Sequence, residues 1–244
     1  MGSWSLTIPV VPIKVDGWHR LLSSKHNRRL SPANDIDRLS GSTDDAAQAE
    51  RRGLIGIGPS ELLFGVPHAR IVNDAFSRPG LAGARFNDTT RGAWYASEEL
   101  ETSLVEVAYH KIRNLADIVV PGVDRGRPDK EIFLYDDWLA DFRMSIHSLD
   151  SSENYDEFLQ AEPIPHCYRP SQALAHRLIN TEKSNGILYP SVRRHHAKCL
   201  VCFRPALVHS PRCERRYKVT LEDIGTGYHV VSAEVPLTFN MEPH

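Results

Sequence analysis

Residues 83–106 read GARFNDTTRGAWYASEELETSLVE, and this stretch gathers more unusual chemical groups than any other part of the chain. Gly83 frees the backbone just before Arg85, a polar turn runs from Asn87 to Gly92, and the chain becomes extended and aromatic at Trp94 and Tyr95. The pattern is strand, turn, strand. From Ser97 it turns helical: a serine suits an N-cap, and Glu98, Glu99 and Glu101 place negative charge at the positive end of a helix dipole. Leu100, Leu104, Ala108 and Ile112 then recur at four-residue steps and predict one buried stripe, with Glu106 nearly opposite it. Taken singly, each polar group has an ordinary reading: a surface arginine, a half-packed tyrosine, a glutamate on a wet helix face.

Outward from this stretch, residues 68–76 read HARIVNDAF with Arg70 at the centre, and Leu115 to Val123 and Glu131 to Tyr135 read as strands. Residues 136–162 are acidic and turn-rich and read as an insertion or a flap over the site, or as a passive surface loop. Pro170 and Ser171 open a second helix carrying Leu174, Ala175, Leu178 and Ile179, which Asn185 and Gly186 end. Ile187–Tyr189, Cys199–Phe203, Tyr217–Leu221 and His229–Val235 read as strands. The expected class is α+β, with helices beside two small sheets, in a domain spanning 61–244 behind an N-terminal extension of residues 1–60. Within that extension, residues 19–52 mix seven Lys or Arg with five Asp or Glu and suit an exposed or partly ordered arm. GLIGIGP (53–59) reads as a linker with a buried turn; it has neither a phosphate-loop ending nor dinucleotide-fold glycine spacing.

Composition narrows the function classes. A chain of 244 residues with 41% hydrophobic residues can bury a proper core, and a formal charge of -2 gives no case for a polyanionic partner. Charge is uneven, with ten acidic and two basic residues from Asp129 to Glu162 and eight basic against one acidic from Ser191 to Lys218. The basic segment suits a small anionic ligand better than nucleic acid, because aromatic residues are sparse in it. Cys199 and Cys202 have knuckle spacing, yet CLVCF reads as a strand that points them to opposite faces, so no metal site is expected. Pro9 and Pro12 interrupt the apolar N-terminal run, and no stretch is long enough to span a bilayer; a cytoplasmic location with reduced thiols is the expectation.

The runs GARFN, WYAS and ETSLVEV, followed about a hundred residues later by SQALAHRL and GILYPSVR, resemble the RES domain, named for arginine, glutamate and serine. Tyr95 lies ten residues after Arg85 and Glu106 eleven after Tyr95, as in that family's pattern, and Ser191 supplies the serine. The likeness spans about residues 69 to 210. It implies an ADP-ribosyltransferase-like fold, whose first strand begins at about Arg70 with that arginine facing the ligand, and a toxin that consumes NAD as substrate, with no separate cofactor, often beside an Xre-type helix-turn-helix antitoxin. The implied chemistry is cleavage of the nicotinamide–ribose bond, with phosphate, water or a protein side chain as acceptor.

On this reading Glu106 steadies the sugar cation, Arg85 grips the diphosphate with Arg70 and Arg193 in support, and Tyr95 stacks on nicotinamide and reaches the ribose with its hydroxyl. Ser191 donates to the ribose or carboxamide, while Gly83 and Asn87 shape the receiving loop. Protein ADP-ribosylation and a non-catalytic binding module remain the competing functions. The sequence leaves a homo-oligomer open.

Overall fold

The computed structural model describes residues 7–24, 57–80, 82–117, 130–149 and 155–235. Among them a period of two runs through Trp138, Ala140, Phe142, Met144 and Ile146, and this alternation draws out one long strand, β3 (Lys130–Ser148). Its partners follow in chain order as β1 (Val10–Ser23), β2 (Trp94–Ser97), β4 (Gly186–Pro190), β5 (Lys198–Cys202), β6 (His209–Asp223) and β7 (Tyr228–Glu234). Three helices accompany them: α1 (Ala69–Ser77), α2 (Leu100–Asp117) and α3 (Arg169–Asn180). The fold is α+β, as expected.

The strands form one mixed sheet in the order β1-β2-β5-β4-β3-β6-β7, and β1 pairs with β3 as well, so five strands close on themselves. The closure is uneven. β1 and β3 share twelve residue pairs, but β1 meets β2 at a single pair, His19↔Ser97, and β3 meets β4 at two. The two sheets expected from the sequence are thus a long β1/β3/β6/β7 layer and a short β2/β5/β4 layer, joined at two narrow seams. Between the layers lie Trp18, Trp94, Trp138, Phe142, Ile146 and Leu200. α3 covers the outer face of the short layer through Leu174, Ala175 and Leu178, which meet Ile187 and Val201. α2 covers the long layer, and the predicted stripe of Leu100, Leu104, Ala108 and Ile112 does pack there against Leu21, Tyr135, Val219 and Leu221. A core side chain such as Phe142 or Leu200 stabilises the fold by about 1.5–3 kcal/mol.

Five local expectations change. Residues 69–77 are helical, because Ile71, Val72 and Phe76 bury one side at helical spacing. Residues 115–117 continue α2, and 118–123 lie outside the described residues. Residues 136–148 are no flap: they continue β3, whose centre is buried on both faces because α2 covers one and the short layer the other. Residues 10–23, placed in an N-terminal extension, form β1 along almost the whole of β3, while residues 25–56 lie outside the described part. Ser97 also fails as an N-cap. Helical bonding starts with Thr102 N and Ser103 N on the Glu99 carbonyl, and the Ser97 hydroxyl instead donates to that carbonyl and bonds the Ser103 hydroxyl. Among the described residues, no helix is long and apolar enough to cross a membrane.

Candidate functional site

A cavity of about 280 Å³ opens where α2 leans over the β1–β2 seam, and Arg20, Arg85, Tyr95, Glu106, His110 and Arg193 are on its wall. The turn before β2 delivers Arg85. Gly83 has φ 69°, and a Cβ there would meet the Asn87 carbonyl oxygen at 2.2 Å, so only glycine lets the chain fold back this tightly. The Ala84 N–H donates to Asn87 O at 2.8 Å, and the Asn87 side-chain amide donates to the carbonyls of Asp88 and Arg91 at 2.9 Å. Tyr95 locks the same turn from β2: its hydroxyl donates to Asn87 Oδ1 at 2.8 Å and accepts the Phe86 N–H at 2.9 Å. The phenol proton and a lone pair are therefore committed to the turn, and burial holds the phenol pKa well above its usual value. The expected reach of this hydroxyl to a ribose is corrected accordingly; the ring is what Tyr95 has left for a ligand.

Arg85 is only 5% exposed. Its Nη1 donates to the carbonyls of Phe158 (3.2 Å) and Gln160 (2.8 Å), its guanidinium lies 5.1 Å from the Tyr168 ring centre, and its buried Nη2 has no hydrogen-bond partner. The carbonyls come from the segment read as a flap, whose described C-terminal part thus holds Arg85. Glu106 projects from α2 on the side away from the apolar stripe. Its Oε2 accepts Arg193 Nη1 at 2.8 Å, and its Oε1 has a long contact of 3.4 Å from the Ser191 hydroxyl. Ser191 Oγ itself accepts the backbone N–H groups of Arg193 (3.3 Å) and Arg194 (3.2 Å). Ser191 thus shapes the loop after β4 and sits beside the carboxylate, rather than on the lining of the cavity. Arg193 stacks over Tyr109 at 3.9 Å, and its Nε and Nη2 lack hydrogen-bond partners.

Each buried donor left without an acceptor costs about 1–3 kcal/mol. Four such nitrogens, Arg20 Nε among them, lie on three arginines of one cavity, whose excess of cationic donors suits a ligand rich in acceptors. The local balance is cationic: Arg20, Arg85 and Arg193 face one carboxylate, Glu106. Burial, followed by Arg193, Arg113 and Arg85, pushes the His110 imidazole down to about 4, although the residue as a whole is exposed. Its ring is therefore neutral at neutral pH. Cys199 on the same wall is pushed up to about 12, by burial first and then by Glu106, and is a thiol rather than a thiolate.

A family model of the RES domain matches residues 62–222, well over half of the chain. The chain belongs to the RES domain family. That places it among NAD-acting, enzyme-like proteins. No curated protein matches the chain.

Within this RES domain, the geometry brings Arg85, Tyr95, Glu106 and Arg193 to one cavity, with Ser191 touching Glu106 from behind. Asn87 and Gly83 build the turn and do not line that cavity. Arg70 stands apart from it, on α1. The arginine that a first strand does bring to the cavity is Arg20 of β1, which lies before the matched residues. Its guanidinium sits 4.7 Å over the Trp94 ring, and its Nη1 reaches the carbonyls of Tyr95 (3.4 Å) and Ala93 (3.5 Å). Burial lowers its pKa to about 10, which still leaves it charged at neutral pH. Sequence reading missed Arg20 because it sits in what looked like a mixed-charge arm. The alternation of Ile13, Val15 and the nearby Trp18 is the signal that could have found the strand. Cys199 faces the cavity and Cys202 the inter-layer core; among the described residues, no group of three His, Cys, Asp or Glu side chains is placed to hold a metal.

Proposed function

We propose that this RES domain cleaves the bond between nicotinamide and ribose in NAD and passes the ADP-ribosyl group to water or phosphate. The observation that carries the reading is the pairing, in one cavity, of the Glu106 carboxylate with unpartnered guanidinium donors of Arg85 and Arg193. Departure of nicotinamide leaves a cationic, oxocarbenium-like sugar, and a fixed carboxylate lowers the energy of that charge as it forms. The donors of Arg85 and Arg193, with the charge of Arg20 alongside, suit the diphosphate oxygens. The Tyr95 ring supplies a flat wall for nicotinamide. Arg193 also holds Glu106 in place, and Ser191 supports that carboxylate, a role that differs from direct donation to the ribose.

Consumption of NAD suits a toxin, and an Xre-type helix-turn-helix antitoxin is the partner this reading implies. The test is incubation of the purified chain with NAD, with and without phosphate, followed by separation of the products. Free nicotinamide with ADP-ribose or its 1-phosphate is expected. Intact NAD in both media, with the protein folded, would overturn the proposal, and label transferred to a protein target in a lysate would replace it with protein ADP-ribosylation.

A further inference from the structure

His19 has no part in the reading above, yet it occupies the wall of the same cavity. Its Nδ1 lies 3.0 Å from Asp137 Oδ2 and 3.1 Å from Oδ1. The Asp137 side chain is 3% exposed and that of His19 is 22% exposed, so the carboxylate is sunk in the sheet while the imidazole keeps an open side. A buried carboxylate that accepts from Nδ1 keeps the proton on that nitrogen and leaves Nε2 with its lone pair. Among the described residues Nε2 has no hydrogen bond of its own.

The backbone at this point is fixed from two sides. The Ser103 hydroxyl of α2 donates to the His19 carbonyl at 3.0 Å, and His19 is the β1 residue that registers with Ser97 of β2. The other bases of the cavity are poorly suited to take a proton. His110 is pushed down to about 4, and Glu106 is engaged by Arg193 and Ser191.

We infer that His19, oriented by Asp137, is the general base that takes the proton of a neutral hydroxyl acceptor, water in the simplest case, as its oxygen attacks the ribose. The inference rests on the NAD-cleaving reading and names the acceptor class for it. The bond from the ribose carbon to the nicotinamide nitrogen breaks, and its electron pair neutralises the pyridinium. The acceptor oxygen bonds to the same carbon, and its proton passes to Nε2 and then to solvent. No oxidation state changes. Asp137 is a positioning residue that sets the tautomer.

A nucleophile with no proton to lose separates this role from binding. Nicotinamide release and product identity are measured for the full chain, His19→Gln and Asp137→Asn, in buffer alone and with azide. His19→Gln is expected to slow hydrolysis by about a hundredfold while glycosyl azide formation stays within about twofold of wild type. Retention of the azide reaction would itself show that the variant is folded. Asp137→Asn should lose hydrolysis selectively in the same way. An equal loss of both reactions in His19→Gln, or unimpaired hydrolysis, overturns the role of His19 and leaves the NAD reading standing. A wild-type chain that cleaves no NAD in either medium overturns both.

Discussion

Two arginine–carboxylate pairs in this molecule use the same chemistry to different ends. Asp136 of β3 accepts Arg216 Nε at 2.5 Å and Nη2 at 3.2 Å, one on each oxygen, and also takes the Ser24 hydroxyl at 2.9 Å. Its side chain is 4% exposed. Glu106 takes one nitrogen of Arg193 and a long serine contact, its side chain is 28% exposed, and two further nitrogens of Arg193 are left without acceptors. The first pair is closed: a forked bridge from β3 to β6, with the residue after β1 tied in. The second is only partly bonded, and both of its residues line a cavity. Whether such a pair is structural or functional is decided by what remains unbonded, not by the residues that form it.

The largest expected effect tests the second pair. Glu106→Gln should reduce NAD turnover roughly a hundredfold or more with little change in melting temperature, measured by nicotinamide release and thermal unfolding on the same sample. Asp136→Asn should behave in the opposite way. Breaking a buried pair costs about 3–5 kcal/mol, and because the Arg216 side chain is 32% exposed the lower end, about 3 kcal/mol, is expected from denaturant unfolding. Turnover per folded molecule should persist. If Asp136→Asn proved as inactive as Glu106→Gln, or Glu106→Gln as unstable as Asp136→Asn, the contrast between the pairs would fail.

A smaller effect probes how the cavity is held. Tyr95→Phe strands the Phe86 N–H and the Asn87 side-chain oxygen and should cost about 1–3 kcal/mol of stability. As Arg85 loosens with its turn, KM should rise more than kcat falls; a selective drop in kcat would return a chemical role to the hydroxyl.

The smallest effect concerns pH. The folded-state pKa of His110 is lowered from 6.5 to about 4, so the unfolded chain takes up this proton more readily than the folded one. Its contribution to stability is present above about pH 6.5 and is lost as pH falls toward 4. His110→Gln should therefore show a shallower fall in melting temperature than wild type over that window, and identical slopes would remove His110 from the cationic wall.

The two pairs also separate what could be read in the sequence from what could not. Glu106 was legible because its neighbours carry a helical period and because Arg85, Tyr95 and Glu106 fall at a recognisable spacing. Asp136 and Asp137 were read as part of an acidic flap, since two adjacent aspartates before WLADFRM look solvated until their partners are known. Those partners are remote in sequence: Ser24 is 112 residues from Asp136, and His19 is 118 from Asp137. Arg20 and His19 were hidden for the same reason, because a polar pair on a strand near the N-terminus has no local pattern that points to α2.

By itself the sequence determined the helical stripes, most of the strands after residue 186, and the family whose residues converge on the cavity, because these depend on periodicities and spacings within a few dozen neighbouring residues. The closure of the sheet through β1, the burial of Asp136 and Asp137, and the unpaired donors of Arg85 and Arg193 were decided only in three dimensions. Burial and unmet hydrogen bonds depend on which distant segments meet when the sheet closes, and one-dimensional spacing does not encode that meeting.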